Sequence, residues 1–376
     1  MHILITGGAG FIGSHLALAL QKRGHSVCVV DNFSEQIHGK DRTQSFTYKQ
    51  IKGSVDIIEG DVCDPAPWID ALRSADVVVH LAAETGTGQS MYCVGNYMNT
   101  NTLGTARLID AISLHAPSVR KVILASSRAV YGEGKYDCRR CGVFYPESRK
   151  SSDLTAGKFD IFCPVCGSEA APVPTDESSA IHPVSVYGLS KEFQERLLST
   201  IGILPKVDKI ILRFQNVYGP GQSLHNHYTG LFSVFSTRIR NGNDIDVFED
   251  GNESRDFIYV DDTVMAIINS IETKTSPLSI YNVGNGTMTR VTDVANLLKS
   301  ILESAVAINV SGHFRLVDIR HNFADISRAA RDLNFTPEVD FKTGVTRYVQ
   351  WVLQQEIHPD RSEAAIAELT QRGLYK

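Results

Sequence analysis

Tyr187 and Lys191 stand four positions apart in the run Tyr187-Gly188-Leu189-Ser190-Lys191. On a helix that spacing puts both side chains on one face. A phenol titrates near ~10 and is a poor base at neutral pH. A neighbouring ammonium favours the phenolate and lowers that value. A tyrosine so tuned can take a proton from a hydroxyl while hydride leaves the carbon that bears it.

The hydride needs an acceptor, and the amino terminus offers a cradle for one. Thr6-Gly7-Gly8-Ala9-Gly10-Phe11-Ile12-Gly13 follows a short apolar run and opens a helical pattern. Gly7 permits a tight turn, Gly10 lets backbone approach a pyrophosphate, and Gly13 lets helix and strand pack closely. Asp31 closes the second strand-like run, where a carboxylate accepts from both ribose hydroxyls and repels a 2′-phosphate. This favours NAD over NADP. Asp61-Val62, after the third run, is placed to hold the adenine.

Four of the seven cysteines form two knuckles, Cys138-Arg139-Arg140-Cys141 and Cys163-Pro164-Val165-Cys166. Four thiolates give a closed tetrahedral zinc site, structural because no position is left for water. A glycine follows each second cysteine and suits the tight turn there. Cys28, Cys63 and Cys93 read as buried free thiols. His225 and His227 have no acidic or cysteine partner at a matching spacing, so they read as loop residues over a cleft rather than a metal site.

The elements that must position these groups follow from periodicity. Apolar runs at 2–6, 26–31, 56–61, 76–83 and 121–127 alternate with helical stretches at 11–23, 65–74 and 96–115. Continuous runs such as Val77-Val78-Val79 predict strands covered on both faces, hence a doubly wound parallel sheet. After a polar, cysteine-bearing stretch the rhythm resumes with a helix at 186–200 and a strand at 209–218. Beyond residue 220, short strands (245–248, 280–283) mix with helices (229–240, 292–303, 326–333, 343–355), which predicts a smaller α/β lobe. The charged tail after Pro359 reads as a peripheral helix.

Length and charge set the outer bounds. The chain has 376 residues, enough for two lobes, and a net charge of −5. No basic surplus points to nucleic acid, no apolar run is long enough for a membrane span, and the amino terminus lacks signal-peptide features. A cytoplasmic location is expected.

In combination the motifs resemble the extended short-chain dehydrogenase/reductases, the family of NAD-dependent nucleotide-sugar epimerases and dehydratases. The resemblance rests on the glycine turn, Asp31-Asn32, Gly60-Asp61-Val62, His80-Leu81-Ala82-Ala83, Asn101 before Gly104-Thr105, and Ser126-Ser127 before Val130-Tyr131-Gly132. It continues through Tyr187 with Lys191, Arg213, Asn216 before Val217-Tyr218-Gly219-Pro220, and the run 255–262. It implies a Rossmann-type NAD-binding domain over 1–132 and 182–220. It leaves 133–181 as a zinc-ribbon-like insertion and 221–376 as mainly a substrate-binding lobe. By resemblance, Ser127 hydrogen-bonds the reacting oxygen, Tyr187 is the base, and Lys191 supports it and holds the nicotinamide ribose. Leu81, Ala82, Ala83 and Asn101 match cofactor-contacting positions, beside Phe11, Ile12 and Asn32. Asn216 and Arg255 match positions that grip a sugar-nucleotide diphosphate. Arg315 and Asp318 resemble an Arg-x-Gly-Asp substrate motif in which Val317 replaces the glycine. A homodimer is also what the family suggests.

The family's 4,6-dehydratases carry an Asp-Glu pair directly after the catalytic Thr, where this chain has Arg128 and Ala129, so dehydration is rejected. The remaining set is that of a C4-epimerase. The stretches 31–39 and 84–91 are similar to bacterial enzymes of the dTDP-L-rhamnose 4-epimerase type. Glu84 and Arg128 are candidate sugar or phosphate contacts. A 4-ketoreductase, or an NAD-binding scaffold with a zinc ribbon, are the alternatives. Ser127 and Tyr187 lie 60 positions apart, more than the family normally allows, and the cysteines occupy the excess. The insertion is therefore expected as a metal-pinned flap beside the sugar pocket or at a subunit contact.

Overall fold

Short β-branched runs buried on both faces have one low-energy arrangement, a sheet sandwiched between helices. The computed structural model, which describes residues 1–202, 204, 206–224, 226 and 230–376, contains that sheet. Its strands are β1 (His2–Thr6), β2 (Ser26–Asp31), β3 (Asp56–Glu59), β4 (Val77–His80), β5 (Lys121–Ser127), β6 (Asp208–Phe214) and β7 (Leu278–Val283). They run parallel in the spatial order β7-β6-β5-β4-β1-β2-β3. The order reverses between β1 and β4, which leaves a crevice at their carboxyl ends.

Alternate residues of each strand feed two cores. Ile3, Ile5, Val77, Val79, Ile123 and Leu212 pack with helices Phe11–Lys22 and Val260–Glu272. Leu4, Val78, Val122, Leu124 and Ile211 pack with Gly104–His115 and Val186–Thr200. The first core continues into the second lobe, where Tyr218 stacks on Phe232 with ring centroids 4.5 Å apart.

Several elements differ from the periodicity reading. The run at 280–283, expected in the small lobe, is the end of β7, the edge strand of the main sheet, paired residue for residue with β6. Helix Val260–Glu272 was not anticipated; it starts directly after strand Phe257–Tyr259 with no turn residue to announce it, and it packs on Phe11–Lys22. The lobe boundary at 220 is thus crossed by chain that returns to the main sheet. The expected helix 96–115 is three pieces: Val94–Tyr97, a π turn Met98–Leu103, and Gly104–His115. The expected strand 209–218 breaks at Gln215, and Asn216–Tyr218 pairs instead with Phe257–Tyr259.

The insertion forms its own antiparallel sheet of Gly142–Phe144, Tyr136–Cys138 and Ala171–Pro172. Its apolar cluster is small: Tyr136, Ile161 and Ala170, with half-buried Phe144 against them. The expected tail helix is present as Ser362–Gln371. His225, His227 and Thr229 lie outside the described residues.

Candidate active site

A cleft of about 600 Å³ opens at the carboxyl ends of the strands. The glycine turn forms one wall. Gly7 has φ +69°, and a β-carbon there would fall 2.7 Å from the Ala82 amide. A β-carbon on Gly13 would fall 2.4 Å from the Gly7 carbonyl, so the helix can begin this close to the turn only with glycine. Asp31 is buried at the end of β2. Its Oδ2 accepts from Ala9 N at 3.0 Å and its Oδ1 from Phe33 N at 2.9 Å. Its aim toward the cleft is therefore set by backbone. Asn32 Nδ2 donates to Asp61 Oδ2 at 3.1 Å.

Ser127 ends β5 and caps the short turn that follows, accepting from Ala129 N at 3.2 Å. Tyr187 and Lys191 project from the first two turns of Val186–Thr200, which Ser185 caps by accepting from Gly188 N at 3.1 Å. Lys191 Nζ lies 6.0 Å from the Tyr187 ring centre and donates to the Ala125 carbonyl at 2.8 Å. Burial pushes the Lys191 amine down to about 7, with Glu195 pulling the other way. Burial raises the Tyr187 phenol, while its hydrogen bond with Ser127 and the charge of Arg128 oppose the rise. The Lys191 amine, over the Tyr187 ring and turned toward the β5 carbonyl, is joined near the phenol by the charge of Arg128.

Beneath the pair, polar side chains bond one another. His80 bridges Thr6 Oγ1 at 2.7 Å and Thr105 Oγ1 at 2.9 Å, and burial, aided by the Lys191 charge, pushes its imidazole down to about 3. Arg213 grips Glu195 at both oxygens, 2.9 and 2.7 Å, and Ser126 donates to the same carboxylate.

Across the cleft, Asp318 accepts from Arg255 at 2.7 Å and from Arg315 at 2.6 Å. Asn216 donates to the Asp256 carbonyl at 3.0 Å. Arg128 lines the same space and has no hydrogen bond or ion pair among the described residues. Burial, then the like charge of Arg255, pushes its guanidinium down to about 10. Glu84 lines the opposite side, its carboxyl raised by burial.

Two further expected contacts bond to neighbouring protein groups. Asn101 is fully buried; it accepts from Glu84 N at 2.8 Å and donates to Glu84 O at 3.1 Å and Ser190 Oγ at 2.8 Å. A primary amide satisfies a peptide group in this way, so Asn101 ties the loop after β4 to the helix of Tyr187. Asp61 turns to Cys63 N at 2.8 Å and to Asn32, while Gly60 and Val62 line the cleft. No residue of 133–181 lines it; the insertion lies beside this space, where Arg149 donates to the Asp318 carbonyl. The sulfurs of Cys138, Cys141, Cys163 and Cys166 lie within 4.8 Å of one another. The glycine after each knuckle has positive φ, +80° at Gly142 and +70° at Gly167. Cys28, Cys63 and Cys93, expected buried, are half-buried.

The sequence reading missed other lining residues. Ala365, Ile366 and Leu369 form one face of Ser362–Gln371, and their spacing of three to four was a legible signal. Phe248 meets the Arg315 guanidinium at 5.2 Å, and Glu253 is raised to about 7 by burial; neither lies in a motif.

Comparison with known proteins agrees with this geometry. A dTDP-L-rhamnose 4-epimerase of Burkholderia thailandensis is 36% identical over 356 residues, covering 94% of this chain and 95% of that protein. A UDP-glucuronic acid 4-epimerase of Bacillus cereus, solved with UDP-glucuronic acid and NAD, superposes with a TM-score of 0.76 at 25% identity. That match covers 94% of this chain and 99% of the other. A UDP-N-acetylglucosamine 4-epimerase of Methanobrevibacter ruminantium, solved with UDP-N-acetylmuramic acid, gives 0.74 at 28% identity over the same shares. The pattern of the NAD dependent epimerase/dehydratase family matches residues 3–148 and 163–284, and the chain belongs to that family.

Proposed function

We propose that this chain inverts C4 of a nucleotide-diphosphate sugar, dTDP- or UDP-linked, with NAD held on the glycine turn. The observation that carries the reading is the convergence of Ser127, Tyr187 and Lys191 on one cleft with that turn. NAD held there would supply the acceptor and then the donor of the C4 hydride. Gly7, Gly10, Phe11, Ile12, Gly13, Asp31, Asn32 and Val62 supply its adenosine and pyrophosphate side, and Leu81, Ala82 and Ala83 its nicotinamide side. Tyr187 takes the C4 hydroxyl proton, Ser127 fixes that oxygen, and Lys191 holds the ribose. The charge of Arg128 favours the phenolate that this step requires.

Arg255, Arg315 and Asn216 take the diphosphate, with Asp318 spacing the two guanidiniums; a forked cation suits that ligand. Arg128, half-buried and without an ion pair among the described residues, adds a charge for the same substrate, and Glu84 faces its sugar. Relatives named for dTDP-L-rhamnose and UDP-glucuronate support the substrate class. Proton NMR in D₂O with dTDP- and UDP-sugars and no added cofactor tests the reading. Inversion at C4 without carbon-bound deuterium supports it. An accumulating 4-keto product, deuterium at C3 or C5, or a requirement for added NADH would overturn it.

The four cysteines fit structural zinc. Tetrahedral Zn–S bonds of ~2.3 Å put sulfurs about 3.8 Å apart, and Cys138 and Cys166 Sγ already lie at 3.5 Å. So small an apolar cluster cannot order such a segment alone. A homodimer is supported by Leu103, Leu114, Leu189 and Phe193, which stand exposed along Met98–His115 and Val186–Thr200.

A further inference from the structure

The insertion stays outside the cleft, yet one of its side chains reaches the cleft's wall from behind. Arg149 follows the first cysteine knuckle and falls in the stretch between the two parts of the chain that match the family pattern. Its side chain is only 5% exposed. Nε lies 3.0 Å from Glu133 Oε1. The two terminal nitrogens fork onto Glu249 at 2.9 and 2.8 Å. One of them also donates to the Asp318 carbonyl at 3.0 Å.

Asp318 is the carboxylate shared by Arg255 and Arg315. Whatever fixes its backbone fixes the separation of the two guanidiniums. The same backbone is held once more from the root of the insertion, because Arg320 N donates to Glu133 Oε2 at 2.7 Å. Glu133, Arg149 and the segment Asp318–Arg320 therefore close a ring, with Glu249 as its outer support. A guanidinium is planar and offers donors at fixed angles, which lets the terminal nitrogens of one side chain serve the Glu249 carboxylate and the Asp318 carbonyl together, with Glu133 beside Nε as an ion pair. An ammonium on a flexible stem cannot reproduce that set.

We propose that Arg149 is a positioning residue through which the insertion sets the spacing of Arg255 and Arg315 for a diphosphate. The proposal rests on the reading of those two arginines given above. Arg149 touches neither sugar nor cofactor. It acts on the cleft only through Asp318, and the glycine turn has no part in its contacts.

The test is Arg149→Lys in the full chain, which keeps the buried charge and loses the fork. Calorimetric titration with UDP and with dTDP reads diphosphate binding without turnover. The expected result is nucleotide affinity and KM weakened about tenfold, with kcat within about twofold and the NAD content unchanged. Lys135→Gln serves as the comparison. It breaks the insertion's own pair with Asp176, at 2.6 Å, and is expected to lower the melting temperature while leaving nucleotide affinity intact. If Arg149→Lys does not fold, Glu249→Gln asks the same question from the other side of the fork. Wild-type affinity in a folded Arg149→Lys protein overturns the proposal. Equal weakening by Lys135→Gln also overturns it, since the insertion would then act through stability alone. If the unaltered chain binds neither nucleotide, the reading of Arg255 and Arg315 is wrong and the proposal falls with it.

Discussion

Replacing Lys191 by methionine should stabilise the fold while removing the activity, and the gain should depend on pH. The amine is 3% exposed, and its pKa is depressed from the ordinary 10.5 to about 7 by burial. Lowering from 10.5 to about 7 corresponds to about 5 kcal/mol. Below about pH 7 both folded and unfolded chains carry the ammonium, and folding bears the whole penalty. Between 7 and 10.5 the folded amine releases its proton while the unfolded one keeps it, so wild-type stability rises with pH. Methionine carries no such penalty but forfeits the bond to the Ala125 carbonyl, 2.8 Å away, worth about 1.5–3 kcal/mol when charged. The variant should therefore be more stable by about 2–3 kcal/mol near pH ~6. That lead should shrink by about 1.4 kcal/mol per pH unit above neutrality. Urea unfolding of both proteins at about pH 6, 8 and 10 measures it. Parallel stability curves for the two proteins would mean that Lys191 titrates at its ordinary value. A variant less stable at the acid end would mean that the ammonium is well solvated or better paired than described.

Other consequences are equally direct. Tyr187→Phe should cut epimerisation by about 10²–10⁴-fold at unchanged NAD content, and a variant that still turned over normally would remove Tyr187 as the base. Arg213→Met strands the Glu195 carboxylate between β6 and the helix of Tyr187. It should cost about 3–5 kcal/mol in thermal or urea unfolding, most of it recovered in Arg213→Met/Glu195→Gln; no recovery would show that the pair's charge is not what matters. Intact-mass analysis should find one zinc per chain, and a strong chelator should make residues 133–181 sensitive to protease while the sheet stays resistant. A metal-free chain with a protected insertion would refute the zinc assignment.

The groups that define the cleft were legible because local rules determine them. Gly7, Gly10 and Gly13 are fixed by steric contact, Asp31 by its place at a strand end, and Tyr187 with Lys191 by helical spacing. What escaped notice depends on chain that returns from a distance. β7 is an apolar run like any other, and nothing in its composition says that it completes the sheet rather than the lobe. Helix Val260–Glu272 lacks a cap or turn to mark its start, because the strand before it runs straight in. Asn101 was recognised, but whether an amide faces a ligand or a neighbouring peptide is decided by the π turn that carries it. The direction of the Lys191 amine, toward Ala125, is likewise a property of packed backbone.

The late arrival of β7 also bears on how the chain is made. The first six strands are complete by Phe214, but the seventh spans Leu278–Val283. During synthesis at about 5–20 residues per second, β6 waits several seconds with one side of its backbone unpaired. Its sequence, Asp208–Phe214, is largely apolar, the kind of exposed edge that recruits other strands. The nascent chain is therefore most exposed to aggregation in that interval. Substitutions that slow the closing of β7 onto β6 should reduce the yield of folded protein from cells more than they reduce the stability of the purified product.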